Sequence, residues 1–185
     1  MMAIYNCLNP IRPAAGLYVE GAIVMGCKPD VRTVFNVRAA GFKEGASTLS
    51  DESGGVLFAG KRGWNLVVFT RNSDNTTAAS CRGYDLYADA TAGSAMSADI
   101  QNIPDGADVC VFTYDEPFTN KSTITDALLT LGATRAKLNA LPFRGSYILT
   151  GRKGMVAGQG KEYQVNTGGT QTQIVFVNGV IQEGL

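Results

Sequence analysis

Ala107-Asp-Val-Cys-Val-Phe-Thr-Tyr-Asp-Glu-Pro117 opens a stretch that runs to Gly154, and the reading of that stretch decides the fold. Val109 and Val111 alternate with Cys110, Phe112 and Tyr114, so both faces of an extended chain are apolar or aromatic. A strand covered on both sides is predicted. Ser122 to Gly132 follows, with Ile124, Ala127, Leu128 and Leu131 at i, i+3, i+4 and i+7, the stripe of an amphipathic helix. Ser122 suits the cap of the first turn, and Gly132 suits a left-handed exit. Leu141-Pro-Phe-Arg-Gly-Ser146 then leads into a second strand, Tyr147-Ile-Leu-Thr150, which stops at Gly151-Arg-Lys-Gly154. Strand, helix and returning strand make one folding nucleus.

The totals set the frame around this nucleus. A chain of 185 residues, 45% hydrophobic and 17% charged, fits a globular domain with a substantial core. Sixteen basic and sixteen acidic residues cancel, and no Lys/Arg cluster stands out, so no nucleic-acid partner is expected. No apolar run reaches the ~20 residues that span a bilayer, so no membrane insertion is expected. The start, Met1-Met-Ala-Ile-Tyr-Asn-Cys7, lacks a basic region followed by an apolar segment, and folding in a cytoplasm is the expectation. The sequence contains no histidine, which removes Ser-His-Asp catalysis, Cys-His catalysis and histidine metal sites. Cys7, Cys27, Cys81 and Cys110 form no Cys-x-x-Cys pair and read as small buried hydrophobes. A four-thiolate zinc site and a disulfide both stay open, because spacing alone assigns neither.

Outward from the nucleus, residues 1–30 read as an apolar arm broken by Pro10, Pro13, Gly16, Gly21 and Gly26, in which only Leu17 to Met25 suits a strand. Thr33 to Ala40 alternates, with Phe35 and Val37 inward and Arg38 outward. Val56-Leu-Phe58 is a short strand, Trp64 to Phe69 is apolar on both faces, and Thr76 to Tyr87 carries the next strand. Ser94 to Asn102 is a short helix, with Met96, Ile100 and Ile103 on one side. After Gly154 the chain is Gly-rich and polar until Thr172-Gln-Ile-Val-Phe-Val177 meets Asn178-Gly179, a strong hairpin signal. The expected class is α+β: two mostly antiparallel β-sheets packed with two or three short helices, plus a C-terminal hairpin. The expected divisions are an arm at 1–30, a domain at 31–157 and a β-ribbon extension at 158–185. Removing residues 170–185 should then weaken docking and leave the central domain folded.

Five stretches resemble the interleukin-like domain of the ILEI/PANDER family. They are Val37 to Phe42, Gly60 to Val68, Tyr84 to Tyr87, Ile103 to Glu116, and Leu128 to Gly154. The last, with Phe143-Arg-Gly-Ser-Tyr-Ile148 and Gly151-Arg-Lys-Gly154, is the most specific. The same domain forms the stem of protein O-mannose N-acetylglucosaminyltransferase. The resemblance implies two antiparallel sheets flanked by helices and a domain that is not itself catalytic. In the glycosyltransferase stem the domain holds sugar, and the motif positions that do so fall here on Asp115 and Arg144. Gly145 stands where the family usually has aspartate. The ends are similar to something else: Ile174-Val-Phe-Val-Asn-Gly-Val-Ile-Gln182 resembles a hairpin phrase of bacteriophage tail and fibre proteins.

Each candidate residue has two readings. Asp115 is either a polar turn closing a buried strand or a sugar-binding carboxylate. Glu116, its neighbour in an extended segment, points to the opposite face, so the two do not share a proton. Arg144 either binds carbonyls of adjacent loops or offers its fork of donors to sugar hydroxyls or a carboxylate. Trp64 reads as core, with a sugar platform as the other reading. Gly151 to Gly154 reads as a turn, because it opens no helix and lacks the phosphate-loop pattern. No enzyme activity, metal or cofactor is expected. Two functions remain: an assembly protein of a bacteriophage virion, contacting other virion proteins and copies of itself, and a carbohydrate-binding module for host surface glycan. One chain can do both.

Overall fold

The computed structural model describes residues 29–183. The strand expected at Leu17 to Met25, together with Cys7 and Cys27, lies outside the described residues. Ten strands and three helices follow in the order β1 (Arg32–Gly41), β2 (Thr48–Asp51), β3 (Val56–Ala59), β4 (Gly63–Arg71), β5 (Thr77–Tyr84), α1 (Ala92–Gln101), β6 (Asp108–Asp115), α2 (Ser122–Leu129), α3 (Arg135–Ala140), β7 (Ser146–Arg152), β8 (Lys161–Val165), β9 (Gly169–Val177) and β10 (Val180–Glu183).

The strands form one mixed ten-stranded sheet whose two halves are each antiparallel. One half runs β5-β4-β6-β7-β8 and the other β10-β9-β1-β2-β3. They join where Ala40 and Gly41 of β1 pair in parallel with Tyr114 and Asp115 of β6. Period-two alternation then sorts the side chains into two cores. Val109 and Val111 of β6 pack with Trp64 and Leu66 of β4, Tyr147 and Leu149 of β7, and Met96, Ile100, Ile124 and Leu128 of the helices. Cys110 and Phe112 face the other way, toward Phe35, Val37, Val67, Phe69, Ile148, Ile174 and Phe176. The layers are therefore the helices, one half of the sheet and the other half. The doubly covered β6 is its centre, as expected of a strand apolar on both faces. The α+β class of mostly antiparallel strands with three short helices is the observed one, the two expected sheets being joined through β1 and β6 into one.

Three short elements had no clear signal. β2 lies in the Ser- and Thr-containing link after β1, α3 lies in Arg135-Ala-Lys-Leu-Asn-Ala140, and β8 lies inside the Gly-rich stretch after Gly158. Ser122 begins α2 without capping it; Lys121 holds the cap position and no side-chain cap bond forms there. Thr123 Oγ1 instead donates to the Asn120 carbonyl at 2.7 Å. Gly132 does take positive φ, at 96°.

The hairpin at Asn178-Gly179 is present, but it is not an appendage. β9 pairs with β1 from Arg32↔Val177 to Ala40↔Gly169, and Ile174 and Phe176 lie in the core between the sheet halves. Residues 31–185 constitute one compact unit. Removal of 170–185 would take from β1 the strand paired with it from Arg32 to Ala39, so loss of the domain's stability is now the expected outcome of that truncation.

Candidate functional site

The two candidate residues stand at the ends of different elements, and β1 brings them together. β6 ends in Asp115 with φ of 60°, and the Glu116 N–H donates to the Tyr114 carbonyl at 2.8 Å. This closes a three-residue turn with Asp115 at its apex. Positive φ in a residue with a Cβ costs about 1–3 kcal/mol and persists only where the surroundings enforce it. The enforcing groups are visible. Glu116 is buried, and its Oε1 accepts from the N–H groups of Phe118 at 3.0 Å and Thr119 at 3.2 Å. Trp64, fully buried, donates its indole N–H to the Pro117 carbonyl at 2.9 Å. The core reading of Trp64 holds, and its one polar atom anchors the loop that follows Asp115.

Arg144 sits in the loop before β7. The Gly145 N–H donates to the Pro142 carbonyl at 3.1 Å, and Arg144, third in that turn, has φ of 60°. Glycine is the usual occupant of such a place. Gly41 couples the two turns: its backbone pairs with Asp115, and its Cα lies against the Arg144 carbonyl, where a Cβ would overlap the oxygen. A close approach of backbone to backbone here requires glycine.

Asp115 and Arg144 line one cleft of about 130 Å³ together with Phe42, Arg62, Tyr87, Glu116 and Phe143. The three aromatic residues are exposed. The Arg144 guanidinium carbon lies 3.8 Å from the centre of the Phe42 ring and 4.8 Å from that of Phe143. Arg62 lies 4.8 Å from the centre of the Tyr87 ring. It also donates through Nε and Nη2 to one oxygen of Asp85, at 2.9 and 2.6 Å. Burial works against the Asp85 charge, but the Arg62 fork and nearby backbone amides outweigh it and hold the carboxyl below its ordinary range. The same bond to Asp85 raises Arg62, with Asp115 adding a smaller attraction.

Among the described residues Arg144 therefore binds no loop carbonyl, the structural reading open to it. Its contacts are aromatic. Glu116 is present in the cleft wall, yet its carboxylate is spent on the backbone of its own loop. The rim residues Phe42, Arg62, Tyr87 and Phe143 had not been singled out. A signal existed for three of them, each next to a chain-direction breaker: Phe42 follows Gly41, Phe143 follows Pro142, and Arg62 precedes Gly63. Aromatic faces, a guanidinium and a carboxylate at one cleft suit a ligand with apolar ring faces and hydroxyl edges. Among the described residues no group of His, Cys, Asp and Glu has the arrangement of a metal site. The turn expected at 151–154 begins later: Gly151 and Arg152 still belong to β7, paired with Val109 and Asp108, and the turn is Lys153-Gly154.

A comparison with family profiles matches residues 62–155 to the one described as interleukin-like EMT inducer, just over half of the 185-residue chain. No curated protein matches the chain.

Proposed function

Since the chain belongs to the interleukin-like EMT inducer family, we propose that it is a non-enzymatic recognition domain that holds glycan at the cleft between β6 and the loop before β7. The observation that carries the reading is the pairing of Asp115 and Arg144, two turn apices of positive φ, within one aromatic-rimmed cleft. Aromatic side chains offer faces to the C–H side of a sugar ring. Asp115 accepts from its hydroxyls, and Arg144 donates to them. A cleft this small and open holds one or two sugar units weakly, at roughly millimolar strength.

The setting we assign to this domain is a bacteriophage virion, where it acts as an assembly component that presents the cleft to host surface glycan. Support comes from the phrase Ile174 to Gln182 and from the apolar composition of residues 1–30. With β9 built into the sheet, contacts with other virion proteins and with further copies fall to the arm and to the β10 edge. A mass-spectrometric inventory of purified particles tests the setting; absence of the chain from every particle fraction would remove it. The binding role is tested by a glycan array probed with the intact protein. Retention of at least one glycan class is expected, with loss in Arg144→Ala while thermal unfolding stays within a few degrees. A blank array contradicts the role, and so does collapse of stability in Arg144→Ala.

A further inference from the structure

Arg144 differs from every other arginine among the described residues in where its N–H groups go. Five of the others donate to a carboxylate in an ion pair. Arg38 donates to the carbonyls of Glu44 and Ala46, and Arg71 to the side-chain oxygen of Asn75. Arg144 donates to no acceptor among the described residues. It is nonetheless held in place: Phe42 and Phe143 lie within 3.8 and 4.8 Å of its guanidinium carbon, and its backbone is pinned against Gly41.

Ring contacts of this kind hold the guanidinium without giving its N–H groups an acceptor oxygen. Those donors form a rigid fork whose spacing matches two oxygens of one oxyanion, at about 2.7–2.9 Å. A sugar hydroxyl fills one prong; a carboxylate, sulfate or phosphate oxygen pair fills two. The neighbouring charges leave this role to Arg144. Arg62 is committed to Asp85, with Asp115 near enough to act on it, and the Glu116 carboxylate is turned to the amides of Phe118 and Thr119. Lys43, its ammonium 5.3 Å from the centre of the Phe42 ring, adds positive charge beside the cleft.

We infer that the cleft selects an acidic glycan, whose oxyanion is read by the N–H fork of Arg144 while Asp115 takes a hydroxyl. This rests on the glycan-binding reading and adds the class of sugar to it. A preformed arginine loses little freedom on binding, so the charge-assisted pair becomes selectivity.

The test is a titration of the intact protein, followed by amide chemical shifts, with four forms of one oligosaccharide: uronate, carboxyl-reduced, sulfated and phosphorylated. The uronate is expected to bind roughly tenfold more tightly than the carboxyl-reduced form, a margin typical of one charge-assisted pair. That margin should shrink as salt rises. Arg144→Gly, whose backbone suits positive φ, should stay folded and bind the uronate and reduced forms within about twofold of each other. Arg144→Lys should keep part of the preference, as a point charge without the fork. Preference for an ester over the uronate would name sulfate or phosphate as the oxyanion and leave the inference standing. Equal binding of charged and uncharged forms overturns the acidic selectivity and spares glycan binding. Retained selectivity in Arg144→Gly overturns the assignment to Arg144. No shift with any form overturns both.

Discussion

Six non-glycine residues among those described take positive φ, and three of them are asparagines, the residue that tolerates it best. The other three are Asp115 and Arg144, which line the cleft, and Lys43, which follows the cleft residue Phe42. Backbone strain is thus concentrated where binding is assigned. Gly145 shows how tightly this end is fitted: a Cβ there would stand 2.8 Å from Pro142 Cδ. Gly145→Asp, which restores the residue usual in the family, should cost about 1–3 kcal/mol as overpacking in a tight turn. Urea unfolding checks it; unchanged stability would mean the loop adjusts freely. Away from the cleft, Cys110 is fully buried in β6, and burial raises its thiol far above the ordinary range. Cys81, half-buried on β5, is pushed up to about 11 by the same cause. At pH 8 neither is appreciably thiolate. Iodoacetamide should leave Cys110 unmodified until the protein is denatured; rapid native labelling there would contradict its burial.

At the scale of elements, legibility followed hydrophobic density. β4, β6, β7 and α2 bury one or both faces, so their apolar residues recur at the period of the element and were readable. β8 is half-exposed, with the polar sequence Lys161-Glu-Tyr-Gln-Val165, and exists because β7 offers it an edge. No local pattern announces that kind of strand. The hairpin of β9 and β10 was legible from Asn178-Gly179, but its docking on β1 was not, since pairing between residues more than a hundred positions apart leaves no local trace. Asp115 and Arg144 were legible through the family likeness; their stacking partners were not, because exposed aromatic residues have no periodicity. Phe176, 1% exposed, lies against Phe35 and Phe69 with ring centres 6.0 and 5.0 Å away. Phe176→Ala should therefore cost about 3–5 kcal/mol. A chain ending at residue 169 should lose cooperative unfolding in calorimetry; a truncated protein that melted near the intact one would contradict the role of β9.

At the scale of the molecule, β6 separates two cores, and the buried polar groups of the helix-facing one respond to pH. Tyr147 donates its hydroxyl to Glu162 at 2.6 Å, and Tyr84 donates to Asp99 at 2.5 Å. Burial first, then the neighbouring carboxylate, raises both hydroxyls above their ordinary range. The unfolded chain ionises tyrosine near pH 10. Below that pH the full stabilisation is present; above it the unfolded chain releases protons that the folded chain keeps, and stability falls. Urea midpoints should hold steady up to about pH 9 and drop by pH 11, and Tyr147→Phe should reduce the drop.

The cleft itself lies where the two sheet halves join at Gly41 and Asp115, so the junction that closes the fold also sets the spacing of the site. A larger polar groove, lined by Asn36, Arg38, Thr48, Ser50, Gln171 and Gln173, is formed by β1, β2 and β9 away from that junction. Mapping amide shifts of the intact protein under saturating acidic oligosaccharide separates the two directly. The expected changes fall on Gly41, Phe42, Tyr87, Asp115, Glu116 and Phe143 to Gly145; changes confined to Asn36, Gln171 and Gln173, or no changes anywhere, would contradict glycan binding at the junction.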